Sequence, residues 1–369
     1  MDNCVIPHGY KATALGIIPQ EWEVMLLGNL SNSISSGRNK HRDAHGQYPV
    51  FGSTGIIGYS STYEYEGPVI LVARVGANAG TLNFASGQYD VSDNTLIITI
   101  KQNVYDYNFA YNQLTHYKLN KLVFGSGQPL ITSKQLKNIR IPVPPLAEQR
   151  KIAEVLGVWD KAIEKQARLI EKLALRKRGL MQRLLSAKLR LPGFSEPWKK
   201  VKLGDVAELY QPQTIQSEDL SQTGYPVYGA NGLIGYYNNY NHEYPQVVIT
   251  CRGSSCGTVN FTPGKCWITG NAMVLNVDNN RDVNKSFFYY LISNSSFVNL
   301  ISGSGQPQIV RQPLLKFELR IPPLKEQTAI AEVLTAADRE IDLAKEKLER
   351  LRRQKRGLMQ QLLTGKKRI

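Results

Sequence analysis

Residues 177–182 read KRGLMQ, and the same six letters return at residues 355–360, an offset of 178 positions. The pentapeptide GSGQP at residues 125–129 returns at residues 303–307 with the same offset. Self-similarity at a fixed spacing is the sequence mark of a duplicated structural unit. We therefore interpret the chain as one unit written twice, and this repeat decides the fold before any single helix or strand is assigned.

The two copies match most closely in their last parts. IAEVL at residues 152–156 returns at residues 330–334 without a gap, whereas GSTGIIGY at residues 52–59 returns as GANGLIGY at residues 229–236 among dissimilar residues. Each copy thus combines a divergent part, large enough for a domain, with a well-matched tail. The predicted segments are a first module at residues 1–145, a helix at 146–190, a second module at 191–322 and a second helix at 323–369.

The two tails have the apolar spacing of a coiled coil, with apolar residues three, four or seven positions apart. Pro145 and Pro323 bar an earlier helix start, and Gly193 and Gly365 are expected near the helix ends. A helix of about 40 residues would be ~60 Å long. The predicted seam consists of Ile152, Leu156, Trp159, Ile163, Ile170, Leu173, Leu180, Ile330, Leu334, Ile341, Leu348, Leu351 and Leu358.

These seams allow two arrangements of the helices. Each helix could pack separately on its own module, as an ordinary amphipathic helix does. Alternatively, the helices pair with each other, because equivalent stripes in one chain can bury one another without a partner molecule. We favour the pair, which a pseudo-two-fold repeat would make antiparallel, with the modules at opposite ends of a helical spacer. Lys177, Lys355 and Gln166 interrupt the seam and would fix its register.

The charge of the chain follows the same division. The chain has 45 Lys and Arg against 30 Asp and Glu, a net charge of +15. Residues 146–190 hold +7 of this total and residues 323–369 hold +5. A surplus of basic charge favours association with phosphate polyanions, although charge runs are also common on ordinary solvated helix faces. Nucleic acid is therefore the partner that the composition indicates, with solvated faces as the alternative.

Several other classes of protein fit the sequence poorly. No apolar run approaches the ~18 residues of a membrane span and no export signal begins the chain, so we expect a cytoplasmic protein without membrane attachment. Cys251, Cys256 and Cys266 lack zinc-site spacing, so we expect neither a metal nor a cofactor. Phosphate-loop and zinc-protease motifs are absent, which favours a binding protein over an enzyme.

The modules are predicted to be mixed α/β domains, with short apolar strands among glycine- and asparagine-rich turns. Four loops combine Arg, Lys, Asn, Gln and Ser, which suit the edges of guanine and adenine, although ordinary surface polarity is the alternative. The GSGQP loops would either hold a phosphate or form a tight turn. The candidate DNA-contacting residues are Arg38, Lys40, Arg42, Arg74, Asn78, Gln128, Gln211, Gln213, Thr214, Arg252, Ser254 and Gln306.

The order of module, helix, module and helix resembles the specificity subunit of type I restriction-modification systems. The resemblance lies in IPVPPLAEQ at residues 141–149, IPPLKEQ at residues 321–327 and the two KRGLMQ segments, and it covers essentially the whole chain. It implies an α+β fold in which two α/β target-recognition domains are separated by two long helices, which form an intramolecular antiparallel coiled coil. It also implies a non-catalytic chain whose two unlike modules bind a bipartite, asymmetric double-stranded DNA site.

The same resemblance implies the partners. The paired helices would set the gap between the half-sites and dock two modification subunits, which are adenine methyltransferases and would themselves bind S-adenosylmethionine. Restriction subunits, which are motor nucleases, would join through them. An orphan DNA-binding regulator without a methyltransferase partner is the alternative. A methyltransferase site within this chain would need an Asn/Asp-Pro-Pro-Tyr/Phe motif, which the sequence lacks.

Overall fold

The computed structural model describes residues 6–40, 43, 45–125, 129–229, 232–303 and 305–369. Residue contacts divide the chain into two compact units. Unit 1 extends to residue 167 and also contains residues 347–369, and unit 2 comprises residues 168–346. Each unit therefore combines one module with the first half of one long helix and the second half of the other.

The elements of both units belong to a mixed α+β fold, which confirms the predicted class. Within the described residues the helices are α1 (Leu27–Leu30), α2 (Tyr107–Tyr117), α3 (Ser133–Lys137), α4 (Leu146–Leu184), α5 (Leu203–Val206), α6 (Lys285–Ser293), α7 (Arg311–Leu315) and α8 (Leu324–Leu362). The strands of module 1 are β1 (Tyr10–Thr13), β2 (Gly16–Pro19), β3 (Glu23–Leu26), β4 (Ser31–Ser36), β5 (Tyr48–Gly52), β6 (Gly55–Ser60), β7 (Tyr65–Glu66), β8 (Val69–Ala73), β9 (Leu82–Ala85), β10 (Gln88–Val91), β11 (Thr95–Ile100) and β12 (Arg140–Val143). The strands of module 2 are β13 (Lys199–Lys202), β14 (Glu208–Tyr210), β15 (Tyr225–Gly229), β16 (Gly232–Tyr237), β17 (Val247–Thr250), β18 (Val259–Phe261), β19 (Trp267–Ile268), β20 (Ala272–Asn276) and β21 (Glu318–Ile321).

Both modules stack the same two sheets. In module 1 a sheet of order β4-β11-β8-β9 packs against one of order β6-β5-β10-β7. In module 2 the corresponding orders are β14-β20-β17-β18 and β16-β15-β19. The other face of the first sheet in each module packs against α2 or α6. Strands β8 and β17 are therefore covered on both faces, which explains their continuous apolar sequences.

A buried glutamine anchors the head of each long helix to its module. Gln149 accepts a hydrogen bond from the backbone N–H of Asp106 at 2.8 Å and donates to the carbonyls of Val104 and Pro144, both at 2.9 Å. Gln327 forms the same three bonds with residues 178 positions beyond these partners. The two glutamine side chains are 0% and 1% exposed. The Glu-Gln pairs of the repeat thus include the contacts that hold helix to module.

The adjacent glutamates are nearly buried carboxylates with equivalent partners. Glu148 accepts a hydrogen bond from the indole of Trp22 at 3.1 Å and two from the guanidinium of Arg368 at 3.0 and 3.2 Å. The corresponding residues of unit 2 are Glu326, Trp198 and Arg190, with distances of 3.3 Å from the indole and 2.6 and 2.8 Å from the guanidinium. A buried carboxylate is costly unless donors of this kind compensate it. Each unit thus fastens the segment after one helix to the head of the other.

The long helices run antiparallel within each unit, as the sequence predicted. In unit 1 Lys355 of α8 pairs with Asp160 of α4 at 2.6 Å. In unit 2 Lys177 of α4 pairs with Asp338 of α8. The first halves of the helices therefore meet the second halves, since each ion pair joins an early residue of one helix to a late residue of the other. The lysines that interrupt the apolar seam are partners of carboxylates that the repeat also duplicates.

The seam residues are buried against different partners along the helices. Ile152 and Leu156 lie in the core of module 1, and Ile330 and Leu334 lie in the core of module 2. Leu173 and Ile341 form a cluster with Ala344, which Ile170 flanks. Leu348 is buried, whereas Trp159, Ile163, Leu180, Leu351 and Leu358 are partly buried.

The expected end of the first helix was wrong. Helix α8 ends at Leu362, just before Gly365, but α4 ends at Leu184, well before Gly193. The position equivalent to Gly365 is Ala187, which has a φ of 57° against 72° for the glycine. A Cβ at Gly365 would lie 2.3 Å from the ring of Pro19, so glycine is required there. In the first copy, therefore, an alanine takes the left-handed position at the helix end, and Gly193 belongs to a later turn.

Candidate nucleic-acid interface

Two of the loops selected from the sequence leave the same end of the module 1 sheet. Strands β4 and β8 each pair antiparallel with β11, which lies between them, so β4 and β8 are parallel and their carboxyl ends meet. Ser36 ends β4 and precedes Arg38 and Lys40, while Arg74 and Asn78 follow β8. We name this surface, residues 36–40 with residues 74–78, edge 1.

The first GSGQP loop joins edge 1 through backbone hydrogen bonds. The N–H of Gly76 donates to the carbonyl of Pro129 at 3.0 Å, and the N–H of Ile131 donates to the carbonyl of Arg74 at 2.9 Å. The guanidinium of partly buried Arg74 also donates to the hydroxyl of Ser36 at 3.2 Å. Edge 1 is therefore one connected surface in which Arg74 bridges two loops.

The side chain of Arg38 extends from edge 1 into solvent. It is 82% exposed, and its nearest carboxylate, Glu64, is 3.8 Å away, a separation that contributes little in water. The backbone beneath it is tightly packed. A Cβ at Gly37 would come within 2.4 Å of the carbonyl oxygens of Val91, which ends β10, and of Ser92 in the following turn. Glycine thus lets β4 approach this turn and holds Arg38 in place for an external partner.

Module 2 forms an equivalent surface, residues 211–214 with residues 251–256, which we name edge 2. Strands β14 and β17 both pair antiparallel with β20, so their carboxyl ends also meet. Gln211, Gln213 and Thr214 follow β14, and Arg252 and Ser254 follow β17. Two further loops that the sequence indicated separately are therefore neighbours.

The second GSGQP loop joins edge 2 through the same backbone bonds as the first. The N–H of Gly253 donates to the carbonyl of Pro307 at 3.0 Å, and the N–H of Ile309 donates to the carbonyl of Cys251 at 2.9 Å. The Gln211 amide donates to a carbonyl of the turn before β20 at 3.0 Å. In each edge, therefore, the proline that ends the pentapeptide accepts a hydrogen bond from the loop that follows β8 or β17.

Most candidate residues lie exposed on one of these edges. Arg42 and Gln128 lie outside the described residues, and Arg74 is partly buried. The exposed ones are Arg38, Lys40, Asn78, Gln211, Gln213, Thr214, Arg252, Ser254 and Gln306. Guanidinium, ammonium and amide groups on one surface can hydrogen-bond to base edges and to phosphates. Contact of any one of them with DNA stays a prediction.

The thiols of edge 2 are poorly suited to chemistry. Burial raises the pKa of Cys251 to about 11 and also raises the pKa of Cys256, so both thiols are protonated at neutral pH. Burial lowers the pKa of His242, whose ring lies against Tyr210 and is joined to its hydroxyl by a 2.9 Å hydrogen bond. In the part of the chain that the structure describes, no group of three or more His, Cys, Asp or Glu side chains could hold a metal ion.

Comparison with known proteins assigns the family. The family of type I restriction modification DNA specificity domains matches residues 19–174 and 195–353, one match in each copy of the repeat. The chain belongs to this family. As a specificity chain, it is the DNA-recognition component of a type I restriction-modification system and not a catalytic component. Among the described residues no helix is both long and apolar enough to span a membrane.

Individual relatives of this specificity chain resemble it over almost its full length. The type I restriction enzyme MjaVIII specificity subunit of Methanocaldococcus jannaschii is 24% identical over 95% of this chain and 94% of its own length. The S subunit of the M. genitalium type I system has a TM-score of 0.66 at 19% identity, covering 93% of this chain and 96% of that one. A chain solved in work on assembly and conformational transition of the type I R-M system has a TM-score of 0.57, also at 19% identity, covering 94% and 99%. The likeness to both structures supports the same fold.

Proposed function

We propose that the chain is the specificity subunit of a type I restriction-modification complex and binds a bipartite, asymmetric DNA site. The observation that carries this proposal is one framework that presents two different sets of side chains. Edge 1 exposes Arg38 and Lys40, whereas edge 2 exposes Gln213 and Arg252. Arg and Lys suit guanine, and Asn and Gln suit adenine. Unlike edges on equivalent frameworks should read unlike half-sites.

One pair of equivalent positions makes the difference between the edges concrete. Arg74 and Cys251 both accept a backbone hydrogen bond from the second residue after a GSGQP loop, Ile131 or Ile309. The first position carries a guanidinium that also bonds to Ser36, and the second carries a protonated thiol. The two edges therefore carry different side chains at the same point of the framework, which supports the proposal that they read unlike half-sites.

We further propose that the paired helices set the gap between the half-sites and bind two modification subunits, through which restriction subunits join. Both helices carry large apolar side chains that the chain itself leaves exposed. Val158 and Leu175 of α4 are 63% and 66% exposed, and Leu343 of α8 is 58% exposed. Large apolar side chains that a protein leaves exposed can form interaction sites with other proteins. A helical partner from each modification subunit would cover these residues.

The proposal is tested by producing the chain with the methyltransferase encoded beside it and mapping N6-methyladenine by single-molecule sequencing. We expect a two-part asymmetric motif. Arg252→Ala should lower methylation of one half-site by roughly tenfold, since a good base contact is worth about 1–3 kcal/mol. Arg281→Ala is the matched control, because Arg281 is also exposed but follows the far end of β20.

Two results would contradict the proposal. A continuous or palindromic motif would mean that the two edges do not read separate, unlike half-sites. The second result is a chain that binds DNA alone but supports no methylation with any methyltransferase subunit. That result would instead support an orphan DNA-binding regulator.

A further inference from the structure

A glycine-rich pair of strands has the same register in the two modules. Strands β5 and β6 pair with the same register as β15 and β16, and the register shifts by one residue after Val50 in the first hairpin and after Val227 in the second. Gly55 and Gly232 begin the returning strands with φ values of 97° and 80°, a conformation that favours glycine. The hairpin is therefore a common feature of both copies of the repeat, although the neighbouring loops differ.

This hairpin holds an aliphatic side chain in solvent at the same position in both modules, and module 2 also exposes the next residue, Ile234. Ile56 is 54% exposed and Leu233, its equivalent, is 50% exposed. A single exposed aliphatic residue is ordinary on a protein surface. Here the position recurs, and the bulge beside it leaves room for the next residue, Ile57. A Cβ at Gly52 would lie 2.6 Å from the side chain of Ile57, which is the extra residue of the bulge.

The hairpin turn of module 1 lies at the end of the module that carries edge 1. Strand β5 is parallel to β10, and the N–H of Ser92 donates to the carbonyl of Phe51 at 2.9 Å. The carbonyl of Val91, which ends β10, accepts the N–H of Arg38 at 3.0 Å. The carboxyl ends of β5 and β10 therefore meet the loop that presents Arg38, and Ile56 follows directly after this point.

Module 2 repeats this placement. Strand β15 is parallel to β19, and the N–H of Thr269 donates to the carbonyl of Tyr228 at 2.9 Å. The next residue, Gly270, accepts the amide of Gln211 from edge 2. Each edge thus combines polar side chains that differ between modules with an exposed aliphatic side chain at a position that both modules retain, Ile56 or Leu233.

We propose that Ile56 and Leu233 are apolar wedges that enter the DNA beside the target adenine of each half-site and help to unstack it. This inference rests on the proposed function. An aliphatic group gains nothing from phosphate and reads no hydrogen-bond pattern, but aliphatic side chains do insert between base steps and unstack them. Methyltransferases must extrude the target base from the duplex. Extrusion is the step that both half-sites share, so the wedge is retained while the base-reading residues differ.

The test uses the complex of this chain with its modification subunits and a duplex carrying 2-aminopurine at the target adenine of one half-site. For Ile56→Ala we expect the fluorescence increase and the methylation rate at the module 1 half-site to fall about tenfold, with the DNA Kd changed less than about threefold. The other half-site should be unaffected, and Leu233→Ala should show the reverse. Val104→Ala is the control, because Val104 is also exposed, at 37%, but follows the opposite end of β11.

Three outcomes would each contradict the wedge. Unchanged fluorescence and methylation in Ile56→Ala would overturn it directly. Weaker binding of the modification subunit to the DNA-free Ile56→Ala chain would also overturn it, because the tip of the hairpin would then contact that protein. Absence of a bipartite motif with the unaltered complex would overturn the proposed function, and the wedge with it, before any variant is compared.

Discussion

Replacing Gln149 with leucine tests how the long helices are anchored. The side chain is 0% exposed and makes three hydrogen bonds to the backbone, of 2.8, 2.9 and 2.9 Å. Leucine occupies a similar volume but leaves one buried N–H and two buried carbonyls without this partner. At about 1 kcal/mol for each net hydrogen bond, the loss is about 3 kcal/mol of unfolding free energy. For a unit of this size, that corresponds to a fall in Tm of roughly 6–12 °C.

The assay is urea unfolding followed by tryptophan fluorescence, with the m-value checked for each variant. Gln327→Leu should lose a similar free energy, because its three bonds are equivalent. Gln182→Leu is the control: Gln182 is exposed on the same helix and should change stability by less than about 0.5 kcal/mol. A loss below about 1 kcal/mol for both buried glutamines would refute the anchoring role.

Three further predictions concern the helix pair and the two edges. A double-mutant cycle on Lys355 and Asp160 should give a coupling of about 0.5–1 kcal/mol, since their side chains are 15% and 55% exposed; zero coupling would contradict a stabilising pair. Gly37→Ala should weaken DNA binding through edge 1, because a Cβ would displace the Arg38 loop from carbonyls 2.4 Å away; unchanged affinity in a titration would contradict this. Cys251, with a pKa raised to about 11 by burial, has about one thiolate in a thousand at pH 8, so iodoacetamide should label it slowly and faster as pH rises towards 11. Rapid labelling of native protein at pH 8, followed by peptide mass spectrometry, would contradict the buried thiol.

The helix starts and the antiparallel pairing followed from local and repeated sequence signals. Pro145 and Pro323 limit where the helices begin, and α4 and α8 begin at the next residue. The end of α4 could not be read, because Ala187 adopts a conformation that the sequence would assign to glycine. The Lys355–Asp160 pair had a usable signal: both residues recur 178 positions away and form the equivalent pair there.

The candidate surfaces were only partly predictable. Their loops carry a compositional signal. The contact between Ser36 and Arg74, however, follows from the pairing of β4, β11 and β8, which no local pattern specifies. The Glu-Gln pair is recognisable in the sequence as a repeated motif, but the sequence does not indicate that both side chains are buried. A glutamate and a glutamine in the first turn of a helix ordinarily face solvent, and only tertiary contacts bring Glu148 and Gln149 against the module.

The most direct test of the central claim, that each module reads its own half-site, is a module exchange. Residues 1–145 are replaced by the first module of another specificity chain, and N6-methyladenine is mapped after production with the same methyltransferase. We expect that one half of the motif changes to that of the donor, while the other half stays the same. A change in both halves, or in neither, would contradict it.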